Sequence, residues 1–201
     1  MTELGKKGAA TRRLILDAAR IAFTASGYDV GVREIAESAG VTAMLVNRYF
    51  GSKDKLFEEV IDEILAAPGI VTADVLSSPI AISQLCRELA DALVARTAPD
   101  ATPLDGFLIL LRSANNPRAT ELLRDRFERV FAMPLAATLP GDQAPMRAAM
   151  LLVVIAGFQL MRQVVEMAGL TQAAPQALAR QLEAVFILLA GGMAVGEPVA
   201  G

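Results

Sequence analysis

Residues 39 to 60 read AGVTAMLVNRYFGSKDKLFEEV, a short segment presenting Thr42, Asn47, Arg48 and Tyr49, with Lys53 and Lys55 just beyond its end. Hydroxyl, amide, guanidinium, phenol and ammonium groups at this density suit hydrogen bonding to phosphates and base edges. Covalent chemistry is poorly supplied. The sequence has no His and one Cys, which excludes a zinc site of the usual ligands, an intramolecular disulfide and a Ser-His-Asp triad. Cys86 lies in AISQLCRELADAL at helical spacing with Leu85 and Leu89, and reads as a small core residue. No catalytic residue, metal or cofactor is expected, and the protein is not read as an enzyme.

The elements that position these donors are all helices. TRRLILDAARIAFTASG puts Ile15, Ala18, Ala19, Ala22 and Phe23 on one apolar face, and Gly27 ends it. VREIAESAG is a second helix of about two turns, ended by Gly40. Thr42 can N-cap a third helix running to Phe50, and Ser52 a fourth from Lys53 toward Ala67, where Pro68 ends the pattern. Two short helices joined at Gly40, with small Ala36 between them, fit a helix-turn-helix, since glycine tolerates the positive φ of the turn. Ile35, Val41, Val46 and Tyr49 can then pack inward. Thr42, Ala43, Met44, Asn47 and Arg48 fall on the outer face, where a recognition helix meets the major groove. Lys53 and the free N–H groups of the fourth helix's first turn suit a phosphate.

Charge supports a polyanion-facing end. The net charge is −3, but residues 1–57 hold 9 basic and 6 acidic residues, whereas residues 58–201 hold 10 and 16. All four lysines (Lys6, Lys7, Lys53, Lys55) lie in the first part. Hydrophobic residues make up 54% of the 201, above the usual share, which suggests apolar surface buried against a partner. The polar N-terminus has no apolar h-region. The longest uncharged apolar run, residues 148–158, is short of the roughly 20 residues of a membrane span. A cytoplasmic setting without a membrane partner is expected.

Beyond Pro79, helical patterns run over roughly 80–97, 103–114, 117–138, 145–168 and 175–190, with Pro79, Pro99, Pro103, Pro117, Pro140, Pro145 and Pro175 near their starts or breaks. Pro134 falls inside one of them and predicts a kink or break. The tail GGMAVGEPVAG is expected to fray. The run at 148–158 is apolar all round. The last helix carries Leu178, Leu182, Val185, Phe186 and Leu189 along one stripe. With Val153, these predict a homodimer seam built as a four-helix bundle; a single-chain core is the other use of the same stripe. Apolar walls for a small-molecule pocket are Leu89, Phe107, Leu111, Phe127, Phe131, Phe158 and Met161, with Gln159 and Arg162 as polar groups. Arg162 can equally pair with Glu166 at i+4. The walls favour a hydrophobic or amphipathic ligand.

The stretch from Thr11 to Ile61 resembles the N-terminal domain of the TetR family of bacterial transcriptional repressors. The resemblance is carried by Gly27-Tyr28, a Val-x-x-Ile-Ala run, Ala39-Gly40-Val41, Tyr49-Phe50, Ser52-Lys53 and Leu56-Phe57. It implies an all-α homodimer with a divergent C-terminal domain for ligand binding and dimerisation. Three parts are expected: a three-helix DNA-binding domain over 1–52, a linking helix over 53–67 and a ligand-binding and dimerisation domain over 68–201. Thr42, Asn47, Arg48, Tyr49 and Lys53 fall on typical DNA-contact positions, and Arg33 in the second helix is grouped with them. Ala43, Met44, Leu45 and Asn47 depart from the commoner Lys, Gly, Thr and aromatic residue, so the operator sequence does not carry over from relatives. The function expected is ligand-released repression of double-stranded operator DNA. A helical enzyme or carrier for a hydrophobic molecule, or a relative with a vestigial pocket, are the alternatives.

Overall fold

The computed structural model describes residues 3–67, 69–72, 75–76, 80–98 and 104–191, with the backbone alone for residues 3–6. Among these residues the longer regular elements are α1 (Glu3–Ser26), α2 (Val32–Ser38), α3 (Ala43–Phe50), α4 (Lys53–Ala66), α5 (Ile82–Arg96), α6 (Asp105–Ser113), α7 (Pro117–Phe127), α8 (Met133–Thr138), α9 (Ala144–Gln159), α10 (Ala168–Thr171) and α11 (Pro175–Gly191). A 3₁₀ turn spans Gly27–Asp29, and π-helical segments span Glu128–Ala132 and Leu160–Val164. No strand occurs among the described residues, so the chain is all-α as its periodicity predicts. The expectations placed on Pro68, Pro79, Pro99, Pro103 and the tail after Gly191 lie outside the described residues.

The chain divides into two compact units, residues 1–67 with 103–127 and residues 68–102 with 128–201. In the first, Ile15, Ala19 and Phe23 of α1 meet Ile35 and Ala36 of α2, Val46 and Phe50 of α3, and Leu56, Phe57, Val60 and Ile61 of α4. Phe57 sits at its centre, edge-on to Phe23 and to Tyr28 with ring centroids 5.0 Å apart in both pairs. The turns follow the sequence signals. Thr42 Oγ1 accepts the Leu45 N–H at 3.3 Å, and Ser52 Oγ accepts the Lys55 N–H at 3.2 Å. Gly40 adopts φ +67° in the turn between α2 and α3.

Packing divides after residue 67, and residues 103–127 return to the first unit. Ile109 of α6 and Ala119, Leu122 and Leu123 of α7 complete the first core. Their closeness explains Gly27, which has φ +70° and whose added Cβ would lie 2.4 Å from the Arg112 carbonyl oxygen.

In the second unit, Leu85, Cys86, Leu89 and Leu93 of α5 pack with Ala148, Leu151 and Ile155 of α9 and Leu178, Leu182, Phe186 and Ala190 of α11. Cys86 is fully buried, and burial pushes its thiol up to about 11, which suits the core role expected. Near Pro134 the helix changes type: the π segment Glu128–Ala132 runs into α8, where Pro134 occupies the first turn. A proline there removes an N–H that has no partner within its own helix.

The pattern over 145–168 likewise divides into α9, the π segment Leu160–Val164 and a break containing Glu166 at φ +56°. Ala144–Val164 is 21 residues long and apolar enough by composition to cross a bilayer, more than the run read from the sequence suggested. Both its arginines, Arg147 and Arg162, are buried and bonded to backbone carbonyls of the same unit.

Candidate nucleic-acid interface

α3 is eight residues long and divides cleanly into two faces. Val46 and Phe50 are buried in the first core, while Ala43 and Tyr49 are half-buried against it. Thr42, Met44, Asn47 and Arg48 are exposed, Met44 to 81%. An exposed methionine of that size has no packing role on its own helix, and its thioether can meet a thymine methyl group. Arg33 is exposed on α2. Lys53 is half-buried, its Nζ 4.3 Å from the Tyr28 ring centroid, and burial lowers its pKa. This cation is therefore held at the start of α4 by the aromatic face beneath it.

Sequence reasoning missed what fixes that joint. The Tyr28 hydroxyl donates to Asp54 Oδ1, and Arg118 Nε donates to Asp54 Oδ2 at 2.7 Å. The Tyr28 N–H donates to Ser113 Oγ at 2.9 Å, and Asn116 Nδ2 to Asp29 Oδ1 at 2.6 Å. On the other side of the joint Arg12 lies 4.8 Å over the Phe50 ring and pairs with Glu59. The start of α4, which carries Lys53, is thus clamped from α1, α6 and α7. The Gly27-Tyr28 pair was a visible signal, but its partners near residue 115 were not.

The clamp titrates. Burial first, then the hydrogen bond to Asp54, raises Tyr28 to about 12, while hydrogen bonds from Tyr28 and Arg118 lower Asp54. A raised tyrosine pKa stabilises the fold fully below its unfolded value of about 10, and that contribution disappears as pH rises to about 12. The depressed Asp54 contributes above its unfolded value of about 4 and is lost as pH falls through its folded value. Tyr28→Phe is expected to melt below wild type from pH 6 to 9, by about 1–3 kcal/mol for a hydrogen bond to a charged group. The two curves should converge by about pH 12; melting curves that stay parallel there would remove the hydroxyl–carboxylate bond from the account.

The pocket residues expected from sequence do not assemble as one set. Leu89 is buried in the second core, with Phe131 and Phe158 half-buried against it. Arg162 is buried with its Cζ 5.8 Å from the Phe158 ring centroid; Gln159 is half-buried and Met161 exposed. Phe107, Leu111 and Phe127 belong to the first unit, where Phe127 packs against the core and Leu111 is exposed. The i+4 pair of Arg162 with Glu166 gives way to bonds from Arg162 Nη1 to the Val94 carbonyl at 2.7 Å and Thr97 Oγ1 at 2.9 Å. The π segment and the left-handed Glu166 break the α-helical register that an i+4 pair needs.

The seam residues also divide. Leu178, Leu182 and Phe186 are buried within their own chain, facing α5, and so are not available to a second copy. Leu189 is half-buried against the same core. Val153 and Val185 are exposed, as are Met146, Met150, Ile187 and Leu188 on the same two helices.

Two short helices crossing at a glycine turn, one presenting polar groups and carried on a packed three-helix core, define a helix-turn-helix regulator that binds DNA. The chain belongs to the tetR family of bacterial regulatory proteins. The model of that family's regulatory domain matches residues 15–60, and the model of the tetracyclin repressor-like C-terminal domain matches residues 83–187. Among solved structures, GusR of Salmonella enterica is similar with a TM-score of 0.66 at 18% identity, covering 91% of this chain and 96% of its own. NalD, the secondary repressor of the MexAB-OprM multidrug efflux pump in Pseudomonas aeruginosa, aligns with a TM-score of 0.63 at 20% identity, over 90% and 96% of the two chains. A TetR-family regulator from Streptomyces coelicolor aligns with 0.56 at 23%, over 90% and 95%. No curated protein matches the chain. At these identities the likeness is one of fold.

Proposed function

We propose that this regulator is a cytoplasmic homodimeric repressor, released from its operator by a hydrophobic or amphipathic small molecule, and that it performs no catalysis. The observation that carries the reading is α3: one face is sealed in the core, and the other leaves Thr42, Met44, Asn47 and Arg48 exposed. The first unit serves as the DNA-binding unit and the second as the effector and dimer unit. The likeness to NalD, itself a repressor, supports the sign of regulation.

The dimer is supported by exposed apolar side chains on α9 and α11, Val153 and Val185 among them. A two-fold dimer grips DNA when its recognition helices reach successive major grooves, about 34–36 Å apart. An effector that binds better when that spacing is wrong weakens DNA binding, and DNA weakens effector binding by the same factor. The test combines a DNA shift assay on the region upstream of its own gene with sedimentation. Wild type should sediment as a dimer and bind; Val153→Arg and Val185→Arg should sediment as monomers or aggregates and bind far more weakly, since an unpaired charge in an apolar seam costs several kcal/mol. A wild type that binds operator as a monomer at micromolar concentration would overturn the dimer. Hydrophobic compounds that bind equally with and without operator would overturn release.

A further inference from the structure

Arg162 is 5% exposed, on the π segment Leu160–Val164, a helical form frequent at functional sites. Its Nη1 donates to the Val94 carbonyl and to Thr97 Oγ1, at the C-terminal end of α5. The Thr97 hydroxyl in turn donates to the Leu93 carbonyl at 2.6 Å. One side of the guanidinium is therefore satisfied. Nε is buried without a partner, and the edge formed by Nε and Nη2 makes no hydrogen bond among the described residues. No carboxylate pairs with Arg162 among the described residues. The neighbouring Gln163 also has its Oε1 buried without a partner. Arg147, equally buried, also leaves its Nε without a partner, but it commits Nη1 to the Ala190 carbonyl and Nη2 to the Pro140 carbonyl and so ties backbone segments together. The Nη2 left unused among the described residues is what sets Arg162 apart.

Among the described residues this buried cation has an unused fork and no counter-charge of the kind that normally offsets desolvation. The Nε–Nη2 edge matches the two oxygens of a planar carboxylate, which it can hold bidentately. One cation neutralises one negative charge, so a monoanion fits better than a phosphate dianion. The Phe158 ring, 5.8 Å from Cζ, supplies an apolar face beside the guanidinium. We infer that the second unit binds an amphipathic monocarboxylate, its carboxylate on the Nε–Nη2 edge of Arg162 and its apolar body against Phe158. This rests on the effector-released reading above and assigns that effector its chemical class.

The experiment is calorimetric titration of the full chain, without DNA, with two matched series: dodecanoate, dodecanamide and dodecyl phosphate, and 4-butylbenzoate with its amide. In at least one series the carboxylate should bind about ten- to hundredfold more tightly than the amide, as a charge-assisted pair implies. Arg162→Gln should abolish that preference, and Arg162→Lys, which keeps the charge without the fork, should restore part of it. Both variants should still shift operator DNA. Equal affinity for acid and amide in wild type, no binding in either series, or a preference that survives Arg162→Gln would overturn the inference. Tighter binding of dodecyl phosphate would overturn the monoanion. The wild-type comparison stands even where a variant fails to fold. Because DNA is absent from these titrations, a regulator released by a neutral compound would fail here and still pass the operator assay.

Discussion

Asn47→Ala and Arg48→Ala should each lower operator affinity by roughly ten- to hundredfold, the equivalent of about 1–3 kcal/mol for a good base contact. Non-specific binding should change much less, so the gap between operator and random DNA narrows. Both side chains are exposed on α3 while Val46 and Phe50 of the same helix are buried, so neither change disturbs packing. Lys53→Ala should behave differently. Its ammonium is held over the Tyr28 ring at the first turn of α4, where a phosphate would meet both the cation and free N–H groups. Losing it should weaken operator and random DNA alike and flatten the log-log salt dependence by about 0.9 per lost phosphate contact. Shift assays across a salt series on both kinds of DNA separate the two behaviours. Wild-type operator affinity in all three variants would mean that α3 is not the recognition helix.

Phe57→Ala should cost about 3–5 kcal/mol, the usual range for emptying a buried phenylalanine site. Phe57 is fully buried and makes edge contacts with both Phe23 and Tyr28, so the cavity opens beneath the helices that carry α3. Against a native stability of roughly 5–15 kcal/mol, that loss is a large share of the whole. The expected result in denaturant is an early transition accompanied by loss of operator binding, with helicity of the second unit retained. Met44→Ala is the matched control: at 81% exposure it should leave the transition unmoved within about 0.5 kcal/mol while altering operator preference. A Phe57→Ala chain as stable as wild type would contradict the packing of the first core.

Short-range features were legible from residues alone. The starts of α3 and α4 at Thr42 and Ser52, the turn at Gly40, the stop at Gly27 and the outward Thr42, Met44, Asn47 and Arg48 depend on caps, glycine φ values and one turn of helical spacing. Each is decided within a few residues, so the order of the residues determines it. Ala43, also expected outward, packs instead against the core. Longer-range choices were not legible. An apolar stripe says that a helix face will be buried but not against which partner. Thus α6 and α7 carry stripes that would serve either unit, and only packing placed Ile109, Leu122 and Leu123 with Phe57. The stripe of Leu178, Leu182 and Phe186 read as a dimer seam, yet α5 took it. Arg162 had a local partner at i+4, yet the π segment turned it inward to Val94 and Thr97. Arg118 meets Asp54 across 64 residues, and Ser113 meets Tyr28 across 85. Such pairs form because the fold brings distant polar groups to one place, and nothing in their own neighbourhoods distinguishes them from ordinary surface charge.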